Sequence, residues 1–211
     1  MPTTEKLFAG YWRFLDGYYE RYKEQLFRLA LEGRSPKIAL ISCCDSHVEP
    51  SVILDCEPAD LFAIGNADNL IPRCVGDNGL LGTIAALEFA VKVLKVESII
   101  VLGHTHCDNT KALMDMRLYS TPVSFIGQLM KRLEYARDNI SDKDFAVVND
   151  LQYRDSEQLV ISHSLRNLLN FPWISSRVNE GKLRIHGWYY DLAKAELFAF
   201  QNDSEDFRKI N

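Results

Sequence analysis

The sequence has no excess of positive charge. Lys and Arg total 24 against 29 Asp and Glu, a formal net charge of −5. No basic excess therefore points to nucleic acid or an anionic membrane, and neither is expected as a partner. No apolar run approaches the roughly 20 residues that a bilayer-spanning helix needs. The start, MPTTEKLFAGYWRF, has no basic stretch followed by an apolar core, so no secretory signal is expected and a cytoplasmic location is. Low-complexity segments, internal repeats and Gly/Pro/Ser-rich linkers are also missing. With 211 residues, 47% hydrophobic and 25% charged, one globular domain over 1–211 is expected. Cysteine is scarce and odd in number: Cys43, Cys44, Cys56, Cys74 and Cys107. An odd count without a signal argues against a disulfide framework and for metal binding or a reactive thiol. Cys56 and Cys74 are expected to be small buried hydrophobes.

The hydrophobic periods that are present predict an α/β chain. Residues 5–31 place Leu7, Tyr11, Phe14, Leu15, Tyr18, Tyr22, Leu26 and Leu29 at spacings of three and four. They predict a long amphipathic helical arm with a break near Gly17, ended by Gly33-Arg34-Ser35-Pro36. An arm of this kind, spanning about 1–35, packs on its own core or on a partner subunit. Buried strands are expected at 37–42 (KIALIS), 60–64 (DLFAI) and 98–102 (SIIVL), and a further strand at 144–148. Residues 79–95 are apolar nearly all round and predict a buried crossover helix. Strand, helix and strand of this length make a βαβ unit and a mostly parallel central sheet flanked by helices. Helices are expected at 124–139 and 156–170, and a closing pair of strands in LRIHGWYYD and AELFAF. His163 and His186 are expected to be structural, Trp188-Tyr189-Tyr190 to be sheet packing, and Asp203–Asp206 to be a solvated end.

Two clusters carry chemistry. Cys43-Cys44-Asp45-Ser46-His47 follows KIALIS, and Gly103-His104-Thr105-His106-Cys107 follows SIIVL. Ligands gather at the carboxyl ends of parallel strands, so the two clusters are expected to converge. Thiolate and imidazole are preferred zinc donors, and His104-x-x-Cys107 can grip one ion across a turn. A third donor from the other strand leaves one open position, the pattern of a catalytic rather than a structural zinc. His106 is expected to be a solvent-facing turn residue.

In this order the segments resemble the β-class carbonic anhydrases. The resemblance runs from the helical arm through Cys43–Pro50, Asn66–Asn69, Gly79–Leu94, Val101–Cys107 and Ser164–Pro172 to HGWYYD at 186–191. It implies one zinc per chain on Cys43, His104 and Cys107, reversible hydration of CO2 by zinc-activated water, and a homodimer or tetramer with an exchanged arm. Cys44 falls in the variable slot beside the first ligand and is not expected to bind. Asp45 matches the aspartate of the family's Asp–Arg pair, but the arginine position of that pair holds His47. The usual R-N-x-A-N reads Gly65-Asn66-Ala67-Asp68-Asn69, and the two glycines after the last ligand are Asp108 and Asn109, either of which can cap the next helix. Leu40 stands where some bicarbonate-regulated relatives carry a tryptophan, so that regulation is not expected. Two other readings share the same residues: hydrolysis of carbonyl sulfide or carbon disulfide, and a zinc-bound binding or regulatory relative of low activity.

Overall fold

In the computed structural model, residues 4–33, 35–44, 49–74, 81–114 and 150–210 are described. The predicted strands form, each extending beyond its expected end. They are β1 (Ile38–Cys43), β2 (Leu61–Asn66) and β3 (Ser98–His104). β4 (Arg184–Asp191), β5 (Glu196–Gln201) and β6 (Asp206–Lys209) complete a six-stranded sheet in the order β2-β1-β3-β4-β5-β6. The first four strands in that order are parallel and the last two antiparallel. β6 was not expected: Asp203–Asp206 is the exposed turn that leads into it and not a free end. The expected helix at 124–139 and strand at 144–148 lie outside the described residues.

Helices cover the sheet. The arm is α1 (Thr4–Phe14) and α2 (Glu20–Glu32), joined without a break by a wide π-helical turn over Leu15–Tyr19. Gly17 therefore sits in a locally widened helix and not at a stop. A short α3 (Pro50–Ile53) follows β1, and α4 (Leu81–Glu88) runs into a second π-helical turn at Phe89–Val93 before β3. This crossover is only half-buried: Thr83, Leu87, Ala90 and Val91 face the core, while Leu81, Phe89 and Val93 are exposed. Its apolar outer face had concealed the amphipathic pattern. After β3 come α5 (Asp108–Met114), α6 (Asp150–Leu168) and α7 (Pro172–Asn179).

One face of the sheet carries the main core, where Ile41, Val101, Ile161, Leu165, Leu168 and Tyr189 pack together. Leu40, Ile100 and Leu102 fill the other face. α6 lies against β3 and β4, and two glycines permit that approach. A Cβ at Gly103 would stand 2.7 Å from Ile161 Cδ1, and one at Gly187 2.9 Å from both Ile161 Cγ2 and Leu165 Cδ1. Gly103 thus holds α6 close to the strand end that bears His104. Ser164 and Asn167 on α6 then tie down the segment after β2. Ser164 Oγ donates to the Asn69 carbonyl and accepts the Ile71 N–H, and Asn167 Nδ2 donates to the Ile71 carbonyl.

Candidate metal centre

β1 and β3 are neighbours, so their carboxyl ends lie side by side. Cys43 is the last residue of β1 and His104 the last of β3; both are strand residues, not members of the loops that follow. The chain turns through Thr105 and His106 and returns with Cys107 directly before α5. The turn is anchored on β4: Thr105 N–H donates to the Tyr190 carbonyl (3.0 Å), and Leu192 N–H donates to Thr105 Oγ1 (2.9 Å). His106 adopts φ = 59°, which lets the chain reverse within three residues. It is exposed, as expected.

The donor atoms of Cys43, His104 and Cys107 all lie within 4.8 Å of one another, and all three residues are buried. Three features fit a metal. The sulfurs of Cys43 and Cys107 are 3.7 Å apart, and two thiolates at about 2.3 Å on a tetrahedral ion stand about 3.8 Å apart. His104 Nδ1 lies 2.9 Å from the Thr105 carbonyl, so Nδ1 carries the proton and Nε2 the lone pair. Nε2 is buried with no hydrogen-bond partner, an orphan that a cation would satisfy. Burial pushes the His104 imidazole down, but the facing Cys43 and the Thr105 carbonyl outweigh it and hold its pKa above the ordinary value. Two sulfurs and one imidazole are the soft donor set that zinc takes, and among the described residues these three alone form the group.

Behind the donors stands a residue that sequence reasoning missed. Glu157 on α6 is buried; its Oε1 accepts the Cys107 N–H at 3.0 Å and its Oε2 accepts the Tyr189 hydroxyl at 2.7 Å. Burial raises its pKa, and those two donors oppose the rise. Burial, followed by the Glu157 charge, raises Tyr189. Arg154 sits over the Tyr189 and Phe198 rings, 5.8 and 5.0 Å from their centroids. Tyr189 therefore packs in the sheet, as expected, but its hydroxyl also belongs to the support of Cys107. Glu157 lies in a helix of ordinary composition, and nothing in its spacing marks it.

Asp108 and Asn109 differ from expectation. The Cys107 carbonyl accepts the Lys111 N–H at 3.0 Å, so α5 opens on the ligand itself and both residues lie inside the helix. Asn109 turns its amide toward Cys43 Sγ, 3.5 Å away. Cys44 is exposed and stands outside the donor group. Cys74 is exposed and Cys56 half-buried, so neither is the buried hydrophobe expected of it; Cys56 follows the turn after α3, and Cys74 lies in irregular chain. Asn66 ends β2 beside Cys43, and its amide donates to the Leu70 carbonyl. Asp45 and His47 lie outside the described residues.

A family profile described as carbonic anhydrase matches residues 38–197. The chain is 32% identical over 207 residues to a carbonic anhydrase of Synechocystis, covering 96% of this chain and 73% of that protein. The solved structure of the β-carbonic anhydrase CcaA is 31% identical, covers 99% of this chain and 92% of that one, and superposes with a TM-score of 0.90. Tetrameric β-carbonic anhydrases from Sordaria macrospora share the fold at 23% identity and a TM-score of 0.73, with 93% and 92% of the two chains covered.

Proposed function

The chain belongs to the β-class carbonic anhydrase family, enzymes of reversible CO2 hydration, and we propose that it performs that reaction at Cys43, His104 and Cys107 with zinc. The observation that carries this reading is the donor triad itself, buried and preformed at the ends of two adjacent parallel strands. When bound, zinc supplies a Lewis acid that makes water nucleophilic at neutral pH, the behaviour for which carbonic anhydrases are the standard illustration.

The chain's own residues do the rest. Thr105 fixes the His104 tautomer, and Glu157 and Tyr189 fix the Cys107 backbone, so the three donors present one geometry. Asp45, two residues beyond Cys43, is the acceptor that orients the attacking water. An arginine partner would hold such a carboxylate with a rigid two-pronged fork. His47 supplies one or two donors, and its charge depends on pH. Without that fork Asp45 would be freer to coordinate a bound zinc itself, which would lower activity near neutral pH. His47→Arg is expected to raise kcat/KM for CO2, by up to about 10²–10³-fold for one well-placed donor. The deciding experiment is stopped-flow CO2 hydration of wild type and His47→Arg from pH 6 to 9, with zinc measured on the same samples and carbonyl sulfide and carbon disulfide assayed alongside. Wild type as fast as arginine-bearing relatives, or no gain at any pH, refutes the role given to His47. Hydrolysis of the sulfur compounds without CO2 hydration refutes the substrate.

The same reading includes an oligomer. No residue of α1 or α2 is buried, and an aromatic ladder from Tyr11 through Phe14 and Tyr18 to Tyr22 runs along the arm. The arm, over about 1–35, is assigned to a second copy of the chain, as a dimer or an assembly of dimers. A cytoplasmic setting accords with donors that are thiols, which oxidation would remove.

A further inference from the structure

Asn109 lies outside the donor triad yet is aimed at it, with Nδ2 3.5 Å from Cys43 Sγ. A ligand thiolate only accepts hydrogen bonds, so the N–H side of the amide belongs toward sulfur. The placement is fixed by the fold. Asn109 is the second residue of α5, which opens on the Cys107 carbonyl, and the Cys107 N–H is held by Glu157. One rigid segment therefore carries one ligand and reaches across to the sulfur of another, from β3 to β1.

We propose that Asn109 is a positioning residue of the metal centre, donating a hydrogen bond to the Cys43 sulfur that lessens the charge this ligand gives to the cation. The proposal rests on the zinc reading above. Two thiolates bring a charge of −2 to a +2 ion and blunt its electrophilicity. A sulfur that shares its electron density with an N–H donor blunts it less, and partners of this kind tune a metal through its ligands. The donor also holds Cys43 Sγ on the side of the site that faces Cys107.

The test uses the full chain loaded with Co2+ in place of zinc, in wild type, Asn109→Leu and Asn109→Asp. Leucine keeps the approximate shape without a donor. Aspartate replaces the donor with an acceptor, while its charge suits the first turn of a helix. In both variants the sulfur-to-cobalt charge-transfer band is expected at lower energy, because an unbonded thiolate releases an electron more readily. Zinc affinity by chelator competition, or kcat/KM, is expected to change by about 10-fold. A purely structural role would lower the melting temperature of both metal-free variants and leave the band alone. The proposal instead expects Asn109→Asp to melt no lower than wild type while its band moves. A band at the wild-type energy in both variants overturns the role of Asn109 and leaves the metal centre intact. A wild type that shows no such band on cobalt addition overturns the metal centre itself.

Discussion

Along the arm, Leu7, Phe8, Trp12, Phe27 and Leu31 are 64–72% exposed, whereas Cys43, His104 and Cys107 are no more than 4% exposed. Both regions hold groups that water disfavours or that need exact company, and they meet the need differently. The donor triad is completed by its own chain: β4 anchors the turn, α6 supplies Glu157, and α5 supplies Asn109. The arm is a helix none of whose residues is buried: among the described residues its second half is only half-covered, at Tyr22, Leu26 and Leu29, and its first half, around Leu7, Phe8 and Trp12, is exposed. Contiguous exposed apolar surface of that extent marks an interaction site. The supports seen around the donors thus come from this chain itself, whereas the arm is the part we propose to be covered by a second copy.

The sharpest way to separate them is to strike the triad. Cys43→Ser is expected to lose most of the zinc and reduce CO2 hydration to background, while Cys44→Ser keeps both. Metal analysis and stopped-flow assays on the two variants check this, and equal zinc in both would remove Cys43 from the site.

Next in size is the arm. Replacing Phe8 and Trp12 by Glu puts charge on its exposed stripe without touching any buried residue. Sedimentation at micromolar concentration is expected to show the assembly dissociate, with zinc still bound to the chain. An unchanged sedimentation coefficient would mean that the arm faces solvent.

The support behind Cys107 lies between these extremes. Glu157→Leu leaves the Cys107 N–H and the Tyr189 hydroxyl without acceptors, at about 1–3 kcal/mol for each unsatisfied buried group. A fall of about 10–100-fold in zinc affinity is expected as well, with Glu157→Gln losing less of both. Chemical denaturation and chelator competition measure the two effects, and a stable Glu157→Leu protein with wild-type affinity would contradict the structure.

The smallest expected effect is on pH dependence. Burial, then Arg166 and Arg73, hold the His163 imidazole below its usual pKa. The unfolded chain then takes up this proton first as pH falls. The contribution is full above about pH 6.5 and is lost as pH falls from there toward the depressed folded value. His163→Gln is expected to flatten that part of the stability curve, measured by denaturant midpoints between pH 7 and 5. An unaltered slope would assign the acid sensitivity elsewhere.

Much of this was legible in the chain. The apolar runs around Ile41, Ile64 and Ile100 located three strands within one or two residues; β1 and β3 are buried on both faces and so must be apolar on both, while the edge strand β2 was marked by a shorter run. Where periodicity faltered, the reasons are physical. The crossover at 81–93 looked buried all round because Leu81, Phe89 and Val93 are apolar on its exposed side. β6, in DFRK, has too few apolar residues to announce a strand, and pairing with β5 imposes the extended form.

The sequence alone determined the parallel sheet, the two donor clusters at strand ends and the likeness in segment order, because residue type and local period are written along the chain. The tertiary structure decided what stands behind the donors. Glu157 is 50 residues from the Cys107 N–H it accepts, and Asn109 is 66 residues from the sulfur it faces. Contacts at that separation follow no period, and a glutamate in a helix or an asparagine after a cysteine looks like any other. Only when Gly103 and Gly187 let α6 close on the sheet, and parallel pairing sets β1 beside β3, do those side chains acquire a role.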